Sequence, residues 1–559
     1  LASGNTPPEH SDLPAKLDRA LALHGAGDFA GALTLYDEAA LALPGNHRLW
    51  AAVAAVALDL GDLDRARTAI GRALILAPSD PAFLVNASGI ALRRDDKPEA
   101  ETAARRALTV APLHPTALNN LARSLSGTNR PAAQDQASRR TGVVQPGDPV
   151  ALMARVLWAS ETGEPFAATR AAARGLCVLP GDPTFLSNLG AACVEQGDNK
   201  AALRAYRQSL ISAPGFAAAW YNLGNLFERE ADIAASVRAH DRAVLLAPHN
   251  ADYQFNRALM VLLSGDFARG FAALEHRWRS KAQTTAWREP GRALWDGRRL
   301  NGETVLVWAE QGLGDTLHFS RYMRLITERG GTPQLEAQPE LGPLLSLSPE
   351  TGAVFARGED PPPIADYHIP MMSLARLAGH SPDSVPPPIS FQDLPALWIN
   401  SKAPDMLDVG LAWAGNPKHR RDHERSMRLE LLAPLAALAN VRLHVIQHGE
   451  ALEQIETCSF KDRLVIHPIT RDFLETAALV RGLDLMITVD TANGHLAGTL
   501  GVETWILIAH VPDWRWLMHR SDSIWYPGAR LYRQDRSRIW EPVIARVARD
   551  LSQFKRGLR

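Results

Sequence analysis

A chain of 559 residues is longer than one hydrophobic core usually serves, so at least two domains are expected. Its 46% hydrophobic and 22% charged residues are those of an ordinary globular protein. With 60 basic against 61 acidic residues the net charge is −1, which excludes a global electrostatic drive toward nucleic acid or an anionic membrane. Residues 1–12 read as a flexible start without the blocks of a signal peptide, and no apolar run approaches the ~20 residues of a membrane helix. Cys177, Cys193 and Cys458 stand far apart with no CxxC spacing, arguing for a reducing compartment and against a disulfide framework or thiolate metal site. The expectation is a cytoplasmic protein that does not insert into membranes.

Pro44, Pro78, Pro112, Pro146, Pro180, Pro214 and Pro248 follow one another at intervals of 34 residues. Proline cannot continue a helix, so each closes one. Twelve residues before each stand Ala32, Ala66, Ala100, Gln134, Ala168, Ala202 and Ser236, mainly small side chains such as closely crossing helices require. A second small-residue column runs through Ala20, Ala54, Ser88, Ala122, Val156, Gly190, Gly224 and Ala258. Gly27-Asp28, Gly61-Asp62, Gly197-Asp198 and Gly265-Asp266 mark turns between paired helices. This is the period and pattern of the tetratricopeptide repeat. Seven full repeats and a partial eighth are expected over residues 13–280, with the unit near Gly127–Arg139 the most degenerate. A superhelix of such repeats is a scaffold whose groove binds another chain.

One column within the repeats has a character of its own. Asn86, Asn120, Asn188, Asn222 and Asn256 share its sixth position, although residues 13–284 hold only eleven asparagines. Helix propensity does not select asparagine. Its amide both donates and accepts, so the column either holds the backbone of a bound polypeptide or ties neighbouring helices together. The column resembles the asparagine ladder of O-GlcNAc transferase repeats, which implies the acceptor-binding role.

Residues 281–301 are polar and Arg-rich and read as a linker. Thr304–Ala309 is an apolar, β-branched run bounded by Gly312-Leu-Gly314, with a helix expected over 316–329. Strand, glycine-rich turn and helix open a doubly wound α/β unit. Prolines at 361–363 and 386–388 punctuate the chain beyond this helix. A second unit opens at Val409–Gly415, with further strands at 443–447, 485–489 and 505–508 and helices near 428–439, 472–482 and 494–500. A helix closes the chain at Trp540–Leu551. The expected architecture is therefore a helical repeat superhelix, then two Rossmann-like lobes at 302–400 and 401–559 facing across a cleft.

Ala309-Glu-Gln-Gly312-Leu-Gly314-Asp315 is similar to the amino-terminal loop of family 9 glycosyltransferases, the ADP-heptose heptosyltransferases. Asp490-Thr491-Ala-Asn493-Gly494-His495-Leu-Ala497 is similar to the D-T-G-x-x-H-L-A segment of their second lobe. With the repeats, Pro512-Asp-Trp-Arg-Trp516 and Asp522-Ser-Ile-Trp-Tyr-Pro527, the chain resembles bacterial proteins that join such repeats to such a transferase, the FlmG-type flagellin glycosyltransferases among them. The resemblance implies a GT-B fold and inverting transfer from a nucleotide sugar to serine or threonine of a protein. It further implies a CMP-activated nonulosonic acid such as pseudaminic or legionaminic acid as donor, and flagellin as acceptor. Two departures, Ala492 in place of glycine and Ala414-Gly-Asn-Pro417-Lys-His-Arg-Arg421 in place of a lysine-containing loop, argue against ADP-heptose. Rival readings are transfer to a lipid or polysaccharide, and a scaffold that has lost activity.

Transfer to a hydroxyl needs a base. Asp315 matches the aspartate proposed for that role, and an aspartate at this place can equally be a helix cap. Glu310 and His318 flank the same loop as second choices. Gly312 and Gly314, with Asp490, Thr491, Asn493 and His495 at a helix start, are candidates for the donor phosphate; the plain reading of the latter four is a capped helix and a buried histidine. Asn416 and Lys418 are the preferred contacts in the charged run Lys418–Ser426, which otherwise is solvated surface. Trp514, Trp516, Trp525, Tyr526 and Tyr532 either fill a core or stack on the donor base. No histidine–carboxylate set has a metal-binding spacing such as HExxH, so a metal-independent mechanism is expected.

Overall fold

The computed structural model describes residues 13–555 apart from most of 126–146 and the stretches 282–286, 288–290, 359–363, 395–405, 420 and 468–471. The start 1–12, Gln134, Pro146, most of the Gly127–Arg139 unit, the prolines at 361–363 and the lobe boundary at 400/401 lie outside the described residues. The chain divides into two compact units, residues 1–222 and 223–559.

The first unit is a stack of antiparallel helix pairs, beginning Leu13–Gly25 with Phe29–Ala42, His47–Asp59 with Leu63–Leu76, and Pro81–Arg93 with Lys97–Val110. Asp28, Asp62, Asp96 and Asp198 cap the second helices, each accepting from the backbone N–H three residues on at 2.9–3.0 Å. Leu43, Ala77, Ala111, Leu179 and Ala213, each preceding a repeat proline, have φ between −122° and −142°. The proline ring excludes the helical conformation there and so ends the helix. Both small-residue columns lie at helix crossings: Ala32, Ala66, Ala100, Ala168 and Ala202 are fully buried. A Cβ on Gly190 would come within 2.5 Å of the Tyr206 ring.

The second unit holds the remaining helices Ile233–Leu246, Ala251–Leu263 and Phe267–Leu274, then two parallel sheets. The strands of the first sheet are β1 (Ala293–Leu294), β2 (Thr304–Trp308), β3 (Thr332–Ala337), β4 (Ala353–Ala356) and β5 (Tyr367–Pro370), in the order β1-β5-β2-β3-β4. The second comprises β6 (Leu407–Ala412), β7 (Val441–Val445), β8 (Leu464–Val465), β9 (Leu485–Val489), β10 (Thr504–Ile508) and β11 (Ala529–Arg533), in the order β11-β10-β9-β6-β7-β8. Every neighbouring pair is parallel. Each central strand is buried on both faces, as its run of apolar residues demands.

Two sequence-based boundaries move. The repeats were expected to end as a separate domain at 280, yet Ile233, Leu262, Phe267 and Phe271 share one core with Val307, Leu317, Trp514 and Trp525. Phe267 stacks on Trp525 with centroids 5.3 Å apart, and Phe271 meets Trp514 edge-on at 5.5 Å. The final repeat has no successor to cover its apolar face, and the lobes cover it instead. The expected linker 281–301 likewise contains the edge strand β1 and the buried Trp295.

Gly197 sits at φ +80° with open space where a Cβ would be. Gly197→Ala is therefore expected to cost about 1–2 kcal/mol through backbone strain alone, and unchanged urea unfolding would refute this. A fragment of residues 223–559 should unfold in one cooperative transition, whereas 285–559, stripped of Phe267 and Phe271, should bind a hydrophobic dye and melt without a sharp transition. Equal melting curves would return the domain boundary to 280.

Candidate active site

In each sheet the strand order reverses beside a central strand, between β2 and β5 in the first lobe and between β6 and β9 in the second. Ligands of doubly wound sheets bind outside the carboxyl ends of strands at that reversal. The segments leaving β2 (309–315), β6 (413–426), β9 (490–495) and β10 (509–516) carry most of the residues singled out above.

Asp315 is the third residue of the helix Leu313–Phe319. Its Oδ2 accepts from the Gly312 N–H at 3.0 Å, so it does cap the helix, while its Oδ1 accepts from Arg515 of the second lobe. Gly314 permits the close approach behind this contact: a Cβ there would lie 2.9 Å from the His495 ring and 3.3 Å from the Ala492 Cα. Arg515 also donates to Asp513 at 2.8 Å. Burial opposes the charge of Asp513, but Arg515 and the N–H groups around it hold the carboxyl below the usual value. Burial, with the Asp513 carboxylate beside it, raises Asp490 to about 6. Arg425 donates to the Asp490 carbonyl at 3.1 Å and to Asp422 at 3.1 Å, and this holds the loop after β6 against the loop after β9.

The other candidates separate into two groups. Asn416 and Lys418 are exposed on the loop after β6, where the Lys418 N–H donates to Asn416 Oδ1 at 3.0 Å. Gln447 braces the root of that loop by accepting from the Trp413 and Ala414 N–H groups, both at 2.9 Å. Thr491 is half-buried at the start of the helix Ala492–Thr499, whose 8 residues present their first N–H groups beside Asp490. Asn493, by contrast, is buried and donates to the Ile446 carbonyl at 3.0 Å, tying this helix to the end of β7. His495 is buried and stacked on Trp516 at 5.4 Å. Burial, then Arg515, pushes it down to about 3 and keeps it neutral.

Both second choices for the base are corrected. Glu310 is buried in a two-pronged ion pair with Arg277 at 2.7 and 3.0 Å and also accepts from the Met372 N–H at 2.8 Å. His318 is fully buried, its Nδ1 3.4 Å from the Tyr526 hydroxyl, which lies 2.9 Å from Nδ1 of His495. Both are closed off from solvent. The five aromatics are all core: Trp514, Trp516, Trp525, Tyr526 and Tyr532 are at most 4% exposed.

The asparagine column is mostly engaged locally. Asn120 donates to the Val85 carbonyl at 3.3 Å and Asn222 to Ser187 Oγ at 3.0 Å, each one repeat back. Asn188 donates to the Thr184 carbonyl at 2.9 Å, and Asn256, in the second unit, to that of Asp252 at 3.0 Å. Asn86 is exposed. The helix-to-helix role is thus present, and a bound chain would have to meet the remaining amide valences.

Sequence reasoning missed Arg515 and Asp513 and gave Arg425 no role. The signal was there: Pro512-Asp-Trp-Arg-Trp516 alternates an acid and a base with two tryptophans.

Two segments, residues 23–84 and 188–240, match the tetratricopeptide repeat family. The chain carries tetratricopeptide repeats. It is similar to Protein FlbA of Caulobacter vibrioides, 26% identical over 333 residues that cover 54% of this chain and 55% of FlbA. It thus spans about half the length of that curated relative. Among solved structures it is similar to a tetratricopeptide repeat protein from Parabacteroides merdae, with a TM-score of 0.41 and 13% identity over 45% of this chain and 99% of that one. It is also similar to the APC/C hetero-tetramer Cut9–Hcn1, with a TM-score of 0.38 and 17% identity over 48% of this chain and 52% of that one. No helix among the described residues is long and apolar enough to cross a membrane.

The Asp490–Asp513 pair gives a pH prediction. Asp513→Asn removes the neighbouring negative charge and should lower the Asp490 titration midpoint from near 6, followed by carboxyl NMR. Because the folded value is raised, Asp490 stabilises the fold at low pH, and that contribution declines as pH rises from about 4 to about 6. An unmoved midpoint would mean the two carboxyls do not interact.

Proposed function

We propose that the two lobes form a metal-independent GT-B glycosyltransferase that moves a sugar from a nucleotide donor to serine or threonine of a protein held by the repeats. The observation that carries this reading is the meeting of Asp315, from the end of β2, with Arg515 and Asp513, from the end of β10, beside Asp490 and the helix start after β9. A carboxylate on one lobe facing cations and open N–H groups on the other is what acid–base transfer from a phosphate ester requires.

In the proposed step the acceptor hydroxyl gives its proton to Asp315, and its oxygen bonds to the anomeric carbon. The bond from that carbon to the donor phosphate breaks, its electron pair staying on the phosphate. Both Asp315 oxygens already accept one hydrogen bond, and each keeps lone-pair capacity for another. Arg425 and Lys418 are the cations nearest the departing phosphate in this scheme, with the N–H groups at Thr491–Asn493 as additional donors. Asn493 and His495 act behind them as supports. The repeats recruit a protein partner, as such scaffolds do. The resemblance to FlmG-type enzymes favours flagellin as that partner and a CMP-nonulosonic acid as donor.

Asp315→Asn should fold, bind nucleotide and lose about 10²–10⁴ of the transfer rate, read by mass spectrometry of flagellin incubated with CMP-pseudaminic or CMP-legionaminic acid. A variant within threefold or so of the wild-type rate would remove Asp315 from the mechanism.

A further inference from the structure

Arg515 is 7% exposed, and its charge is divided between the lobes. Nη1 donates to Asp513, two residues before it, and Nη2 donates to Asp315, 200 residues away in sequence. Its guanidinium carbon sits 4.6 Å from the Trp514 ring centroid and 5.5 Å from that of Phe319, so apolar faces fix its plane. Nε is buried without a hydrogen-bond partner among the described residues. A buried cation with one donor unmet is a poor choice if only packing mattered.

We propose that Arg515 is a positioning residue for the transfer reaction, one that fixes the Asp315 carboxylate of the first lobe beside Asp490 and Asp513 of the second. The inference rests on Asp315 being the proton acceptor. Arg515 exchanges no proton and forms no bond in the step. It fixes which way the Asp315 carboxylate faces, and as a cation at hydrogen-bond distance it favours the ionised form of Asp513. The charged groups around it are the carboxylates of Asp315, Asp513 and Asp490 and the guanidinium groups of Arg321 and Arg425, while His495 and His318 on the packed helices stay neutral. Arg321 binds the lobes together on the far side of these histidines by donating to the Trp525 carbonyl at 2.9 Å.

The test uses the full chain, flagellin as acceptor, CMP-pseudaminic and CMP-legionaminic acid as donors, and CMP binding by calorimetry. Arg515→Met should lower kcat by about 10²-fold or more while donor KM and CMP affinity stay within threefold or so. Arg515→Lys keeps the charge but cannot fork between two carboxylates, so it should fall between Met and wild type. Should the Met variant fail to fold, the Lys variant decides: a lowered kcat at unchanged donor KM supports the role, and a wild-type kcat overturns it. Arg515→Met at the wild-type rate with Asp315→Asn inactive would remove the positioning role alone. Asp315→Asn at the wild-type rate, or a wild-type chain that transfers from neither donor, would overturn the reading beneath it and the inference with it.

Discussion

The Arg277–Glu310 ion pair joins the end of the repeats to the loop that carries Asp315. Two buried charges are costly to desolvate, and such a pair persists only when nearly every remaining donor and acceptor is met. Here the condition is satisfied. Arg277 also donates to the Leu274 carbonyl, Glu275 and Ser373, and Glu310 takes the Met372 N–H. Glu310 thereby ties the end of β2 to the segment following β5, the two strands that flank the reversal of the first sheet. The loop of Gly312, Gly314 and Asp315 springs from this knot. Breaking either charge would leave the other buried and unpaired, so the last repeat and the candidate site stand or fall as one structure.

How much of the fold is legible in the sequence depends on how local each cause is. The repeat reads from prolines, capping aspartates and small residues because each acts within a few residues of itself. Strands β2, β6, β7, β9 and β10 read as apolar runs because both faces are buried. Strands β1, β4, β5 and β8 are two to four residues long, and β3 and β11 carry Gln334 and Arg530 among their residues. Their pairing is decided by partners far along the chain, as when Tyr367 pairs with both Ala293 and Val305. The same limit governs the site. Asp315 was visible from its glycine loop, but its partner is 200 residues away, and no spacing rule connects them.

Burial explains the corrections among the site residues. Glu310 and His318 were plausible by sequence distance from Gly312, yet the residue two places before it is buried against Arg277 and the one six places after it is buried in the core. His495 and Asn493 belong to a helix buried at every residue but its first, so only its start at Thr491 and Ala492 is partly open. Gly314 owes its place to the opposite lobe: a Cβ there would meet the His495 ring at 2.9 Å and crowd the Ala492 Cα at 3.3 Å. The two motifs that looked like separate signatures are thus two halves of one contact.

That contact sets the local charge. Asp315, Asp490 and Asp513 crowd around the guanidinium of Arg515, so with every carboxyl ionised the acids outnumber it. Asp490, whose proton is released only near pH 6, can relieve the imbalance. A phosphate arriving at the helix start would bring further negative charge beside it and favour the protonated form still more. Anion binding at that helix start would then be linked to proton uptake by Asp490.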